Sequence, residues 1–87
     1  MVKRHMKYDF FDALHPRDWS RPDVHAWLLH MRDHHDMQDV QCERFPMNGK
    51  ALCLMSVDMF RQRVPGGGKL LYRDFQLRLG RAMTVAV

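Results

Sequence analysis

The chain has 87 residues, 46% of them apolar, and a formal net charge of +4. That size holds one domain with a single modest core, and the composition is that of a globular chain. No apolar run approaches the ~20 residues of a membrane span, Tyr8-Asp-Phe-Phe-Asp12 interrupts any signal-peptide core, and two cysteines make no disulfide framework, so an intracellular, reducing location is expected.

Residues 1–15 read as an N-terminal extension. Phe10 and Leu14 lie four apart, which permits a short helix over 7–14 that Pro16 ends. The segment either packs on the domain or trails as an arm. Ser20 is the best helix start in the chain, with Pro22 in the first turn and Asp23 three residues after the cap. Val24, Trp27, Leu28 and Met31 then form a buried stripe at i, i+3, i+4, i+7, and the helix fades near His34-His35. A short helix is expected from Met37 to Phe45, anchored by Val40 and Phe45 and broken by Pro46. Asn48-Gly49 signals a turn, Lys50 to Leu54 a further short helix, and Ser56 the cap of a helix carrying Val57, Met59 and Phe60. Pro65-Gly66-Gly67-Gly68 ends it and lets the chain reorient. Cys53 reads as a small buried hydrophobe, and Met31, Met47, Met55 and Met59 as core residues. The result is an all-α domain of five helices.

The last helix spans about Lys69 to Met83. At about 100° per residue, Leu71, Phe75, Leu79 and Ala82 fall within about 80° of one another and make its core stripe. Leu70 and Leu77 cluster on another face, outside that stripe. An exposed apolar pair of this kind is there for a partner, for the N-terminal arm, or as two isolated exposures.

Catalysis is not expected. No serine or cysteine sits in a nucleophile turn, and Gly66-Gly67-Gly68-Lys69 follows no strand and lacks the phosphate-loop pattern. His30 and His34 have a two-ligand spacing, but nothing at a second fixed spacing completes a metal site. No cofactor is implied. The basic residues are spread from Lys3 to Arg81 among ten acids, which is a solvated surface rather than a nucleic-acid footprint. The stretch after Asn48-Gly49 is too short and too apolar for a DNA-recognition helix.

Two segments carry a family resemblance: Trp19-Ser-Arg-Pro-Asp-Val24 and, further on, Phe45-Pro-Met-Asn-Gly-Lys-Ala-Leu-Cys-Leu-Met55. Together they resemble a SAM domain of the Pointed type, as found in ETS transcription factors, and the resemblance runs from about Pro16 to Met83. It implies a compact helical bundle over residues 16–84, with 85–87 as a tail, that associates head to tail through two faces. The mid-loop face would centre on Ala51, with Asn48, Gly49 and Lys50 nearby and Asp39 and Glu43 at its rim. The end-helix face would centre on Leu70, beside Lys69 and Arg73, and would include Leu77. Repressor-type members often carry Gly-Asp-(Val/Leu)-Leu at the last helix, where this chain has Gly68-Lys69-Leu70-Leu71. The implied partner is the Pointed domain of an ETS-family repressor or activator, whose polymer this chain would cap, in the nucleus and the cytoplasm. The alternatives within the family are docking a MAP kinase and binding an RNA hairpin.

Overall fold

The computed structural model describes residues 11–85. It contains four α-helices: α1 (Arg21–His35), α2 (Gly49–Leu52), α3 (Val57–Arg63) and α4 (Gly68–Val85). Two 3₁₀ turns, Pro16–Asp18 and Cys42–Arg44, accompany them, and no strand occurs among the described residues. Phe10, one anchor of the expected N-terminal helix, lies outside the described residues; Phe11 and Asp12 are helical.

The chemistry of the helix starts is local. Ser20 accepts from the Asp23 N–H while the Asp23 carboxylate accepts from the Ser20 N–H at 2.9 Å, a reciprocal capping box at the head of α1. Ser56 caps α3 by accepting from the Met59 N–H. α1 ends at Asp36, whose φ of 52° is left-handed, a conformation that a short polar side chain tolerates.

The expected helix over Met37–Phe45 is not there: the segment is turn, with only Cys42–Arg44 helical. Val40 and Phe45 are both buried. Residues five apart point about 140° away from each other on a helix, so a regular helix could not have buried both. Arg63 fastens this loop to α3. Its Nε donates to the Arg44 carbonyl at 2.9 Å, and its guanidinium lies 6.0 Å from the Phe45 ring centre.

The core is one aromatic cluster. Trp19, Trp27 and Phe75 meet with ring centres 5.6–5.7 Å apart, in tilted or edge geometries that rings favour. Phe11 joins edge-on to Trp19, and its carbonyl accepts from Trp19 Nε1 at 2.9 Å. Residues from Phe11 onward are therefore fastened to the bundle. Trp27 Nε1 donates to Asp74 at 2.7 Å; the same carboxylate takes Arg78 Nε at 2.6 Å, and Arg78 reaches Asp12 as well. The chain of polar contacts joins α1, α4 and the N-terminal segment, and no buried side-chain N or O among the described residues lacks a partner.

Of the expected core residues, Leu79 is only partly buried, while Val24, Trp27, Leu28, Leu52, Phe60, Leu71 and Phe75 are fully so. Met59 is not core. It is 45% exposed, because α3 turns only Phe60 inward. Cys53 is half-buried rather than buried, and both cysteines are free thiols.

The glycines before α4 are required by space rather than by backbone freedom, since none of the described glycines has positive φ. A Cβ on Gly68 would stand 2.5 Å from the Phe60 carbonyl oxygen, so α4 starts directly against the backbone of α3.

His30 lies 5.5 Å from the Phe11 ring and 4.0 Å from that of His34. Partial burial lowers its pKa below the ordinary 6.5, and His34 and Arg78 push the same way. The unfolded chain therefore takes up this proton first. Stability from this group is complete above 6.5 and is lost as the pH falls through and below that value. A melting-temperature series from about pH 7.5 to about pH 5.5 should slope downward toward acid. His30→Gln should flatten that slope; an unchanged slope would remove His30 as its source.

Candidate protein-interaction surface

The mid-loop segment is built on an unusually close backbone approach. Gly49 is buried and donates its N–H to the Trp19 carbonyl at 2.8 Å. A Cβ there would lie 1.8 Å from the Pro16 carbonyl oxygen. Gly49→Ala should thus force the 3₁₀ turn and α2 apart, at a cost of about 1–3 kcal/mol or more in chemical denaturation. A variant as stable as the parent would show that the turn yields freely. Asn48 caps α2, accepting from the Ala51 N–H at 3.0 Å. These two residues hold the segment; Lys50 and Ala51 face outward from it, Lys50 exposed and Ala51 half-exposed.

Leu54 follows on the next turn, its N–H donating to the Ala51 carbonyl at 3.0 Å, and its side chain is 83% exposed. The sequence reading missed this residue. Its signal was the run from Ala51 to Met55: Leu52 and Met55 sit three apart and go inward, which turns Leu54 out. Ala51 and Leu54 form an apolar spot on a rigid seat.

Asp39, expected at the rim of that spot, is exposed. Its carboxylate accepts from the Gly66 N–H at 2.9 Å. With Met37, Gly66, Gly67 and Leu70 it lines a shallow cleft of about 350 Å³ before α4. The structure thus groups Asp39 with the end-helix residues. Glu43 stays exposed in the Cys42–Arg44 turn. On α4, Lys69, Leu70, Arg73 and Leu77 are all exposed, Leu77 to 56%. A second cleft, about 360 Å³, lies between Phe11–Pro16 and Arg78–Ala82. Among the described residues no cluster of three His, Cys, Asp or Glu side chains is placed to hold a metal ion, and no helix is long and apolar enough to cross a membrane. The arrangement offers an apolar contact at Ala51 and Leu54 and another on α4 at Leu70 and Leu77.

The sequence matches the sterile alpha motif (SAM)/Pointed domain family over residues 3–79. It is similar to transcription factor ETV6 of Mus musculus, at 40% identity over 63 residues, 72% of this chain and 13% of that protein. It is similar to transcription factor ETV7 of Homo sapiens at 38% identity, over 72% of this chain and 18% of the relative. A third relative, the Ets DNA-binding protein pokkuri of Drosophila melanogaster, is 40% identical over 71% of this chain and 8% of its own length. The chain therefore spans less than a fifth of each of these proteins.

Proposed function

We propose a function for this chain from one premise: it belongs to the sterile alpha motif (SAM)/Pointed domain family. It is a protein–protein association module that binds the Pointed domain of an ETS transcription factor head to tail, and so regulates transcription in the nucleus, with a cytoplasmic pool. The observation that carries this is the outward-facing Ala51–Leu54 spot, held by the Asn48 cap and the Gly49 seat. A small residue on a rigid turn lets a partner's apolar side chain approach closely, and such contacts concentrate binding energy. The partner supplies its own end helix.

Charge supports a chain that stops growth rather than propagates it. Its end-helix face carries Lys69 and Arg73 around Leu70, and its mid-loop face carries Lys50. Asp39, an acid that could have complemented Lys69 and Arg73 of the next copy, is turned to Gly66 instead. Two copies meeting head to tail would thus set Lys50 against Lys69 and Arg73, with the exposed Glu43 as the remaining acid at the rim, while a heterologous partner with an acidic end helix would meet Lys50 without that repulsion. Leu70 is also bulkier than the valine often found there. Sedimentation of the chain alone should give a monomer, and adding it to a polymer-forming Pointed domain should lower the light scattered. Rising scattering, or polymers of the chain alone that Leu70→Arg dissolves, would mean that both faces are active and the capping role fails.

A further inference from the structure

We infer that the outer face of the distal half of α4 is a docking site for an acidic amphipathic helix. The site is separate from the Ala51 spot; it continues the face of Leu70 toward the C-terminus of α4, sharing Arg73 and Leu77 with the end-helix face, and it does not rest on the head-to-tail reading. At about 100° per residue, Arg73, Leu77, Gly80 and Arg81 fall within an arc of about 100°, away from the stripe of Leu71, Phe75 and Leu79 that α4 turns to the core. They cover about two turns, roughly 12 Å of helix.

Three observations converge there. Leu77 is 56% exposed. Arg73 and Arg81 are exposed and form no ion pair among the described residues. The nearest acid on the helix, Asp74, is already held by Trp27 and Arg78, and Asp12 by Arg78. Finally, a Cβ at Gly80 would meet nothing within 4 Å. Gly49 and Gly68 have backbone pressed against them; Gly80 has open space, yet glycine inside a helix is destabilising relative to alanine. Its absent side chain leaves a notch beside Leu77 that lets a second helix come close.

The charge selects the occupant. In a two-fold antiparallel pair centred on Leu77, Arg73 of each copy would face Arg81 of the other, so a second copy is disfavoured. A helix with leucines along one face and glutamates flanking them would fill the notch and pair both arginines. Nucleic acid would use the arginines but would have no use for Leu77 or for the notch at Gly80.

The probe is a fluorescein-labelled peptide of about 18 residues, long enough to form a helix on the surface, with leucines at i, i+3 and i+7 and glutamates beside them. A scrambled peptide of the same composition is the control. Anisotropy should show the ordered peptide binding at least about tenfold more tightly than the scrambled one at about 0.1 M salt. Leu77→Ser and Gly80→Leu should each weaken it by about tenfold or more while the domain stays folded, the melt rising for Gly80→Leu and falling only slightly for Leu77→Ser. Arg73→Glu with Arg81→Glu should transfer binding to the lysine version of the peptide, and Ala51→Asp should leave binding unchanged. Equal binding of the scrambled peptide, no binding of either, or indifference to both Leu77→Ser and Gly80→Leu would overturn the docking site. Salt-sensitive binding of an RNA hairpin unaffected by those two changes would assign the arginines to nucleic acid instead.

Discussion

Trp27→Ala should lower the stability of the domain by about 3–5 kcal/mol, the range for emptying a buried large side chain. The indole is fully buried between Trp19 and Phe75, and it is the point where α1 meets α4. Removing it leaves a void that Trp19 and Phe75 cannot both move to fill, because Trp19 is tied to the Phe11 carbonyl and Phe75 belongs to the long helix. It also removes one of the two donors that hold Asp74. A native domain is stable by only about 5–15 kcal/mol, with small ones at the low end, so the loss is a large part of the total. Trp27→Phe separates the two contributions: the ring volume is mostly retained, the bond to Asp74 is lost, and the cost should fall to about 1–3 kcal/mol. Urea denaturation of the two variants reads both. Should Trp27→Ala unfold within a few tenths of a molar of the parent midpoint, Trp27 is not the centre of this core.

Much of this architecture was legible in the sequence because it is written in short-range chemistry. Ser20 and Asp23 cap each other across three residues, and the stripe from Val24 to Met31 follows helical spacing; both appear as expected. What was not legible depends on distant partners. Trp19 was not singled out as core, since it precedes its helix and is buried only through Phe11, Trp27 and Phe75. The loop from Met37 to Phe45 looked helical in composition, but the demand to bury Val40 and Phe45 together overrides that preference. The family resemblance pointed to the neighbourhood of Ala51 as a contact. It could not show that Gly49 is a buried seat rather than a surface residue, that Asp39 belongs with Gly66, or that Leu54 extends the apolar spot. Each of these follows from which backbone lies behind the residue, and no spacing rule carries that information.

Ala51→Asp should abolish most of the binding to a partner Pointed domain while leaving the monomer folded. Ala51 is the third residue of α2, where its N–H is already bonded to the Asn48 side chain. An aspartate there can accept from the Asn48 N–H and sits at the positive end of the helix, so the fold tolerates it. At the interface the same carboxylate would have to give up its water against an apolar side chain with no cation supplied. A central contact of this kind carries about 2–4 kcal/mol, roughly 30- to 700-fold in Kd. Leu54→Arg should act in the same direction, because that side chain is already exposed in the monomer and its replacement costs the fold nothing. Leu70→Arg on the same chain should leave heterologous binding intact if, as proposed, the partner and not this chain contributes the end helix to the contact. Isothermal titration of the three variants against one partner domain distinguishes the faces. If Leu70→Arg is the change that destroys binding and Ala51→Asp leaves it untouched, the polarity is reversed: this chain inserts its own end helix into the partner, and it would then cap the opposite end of the filament.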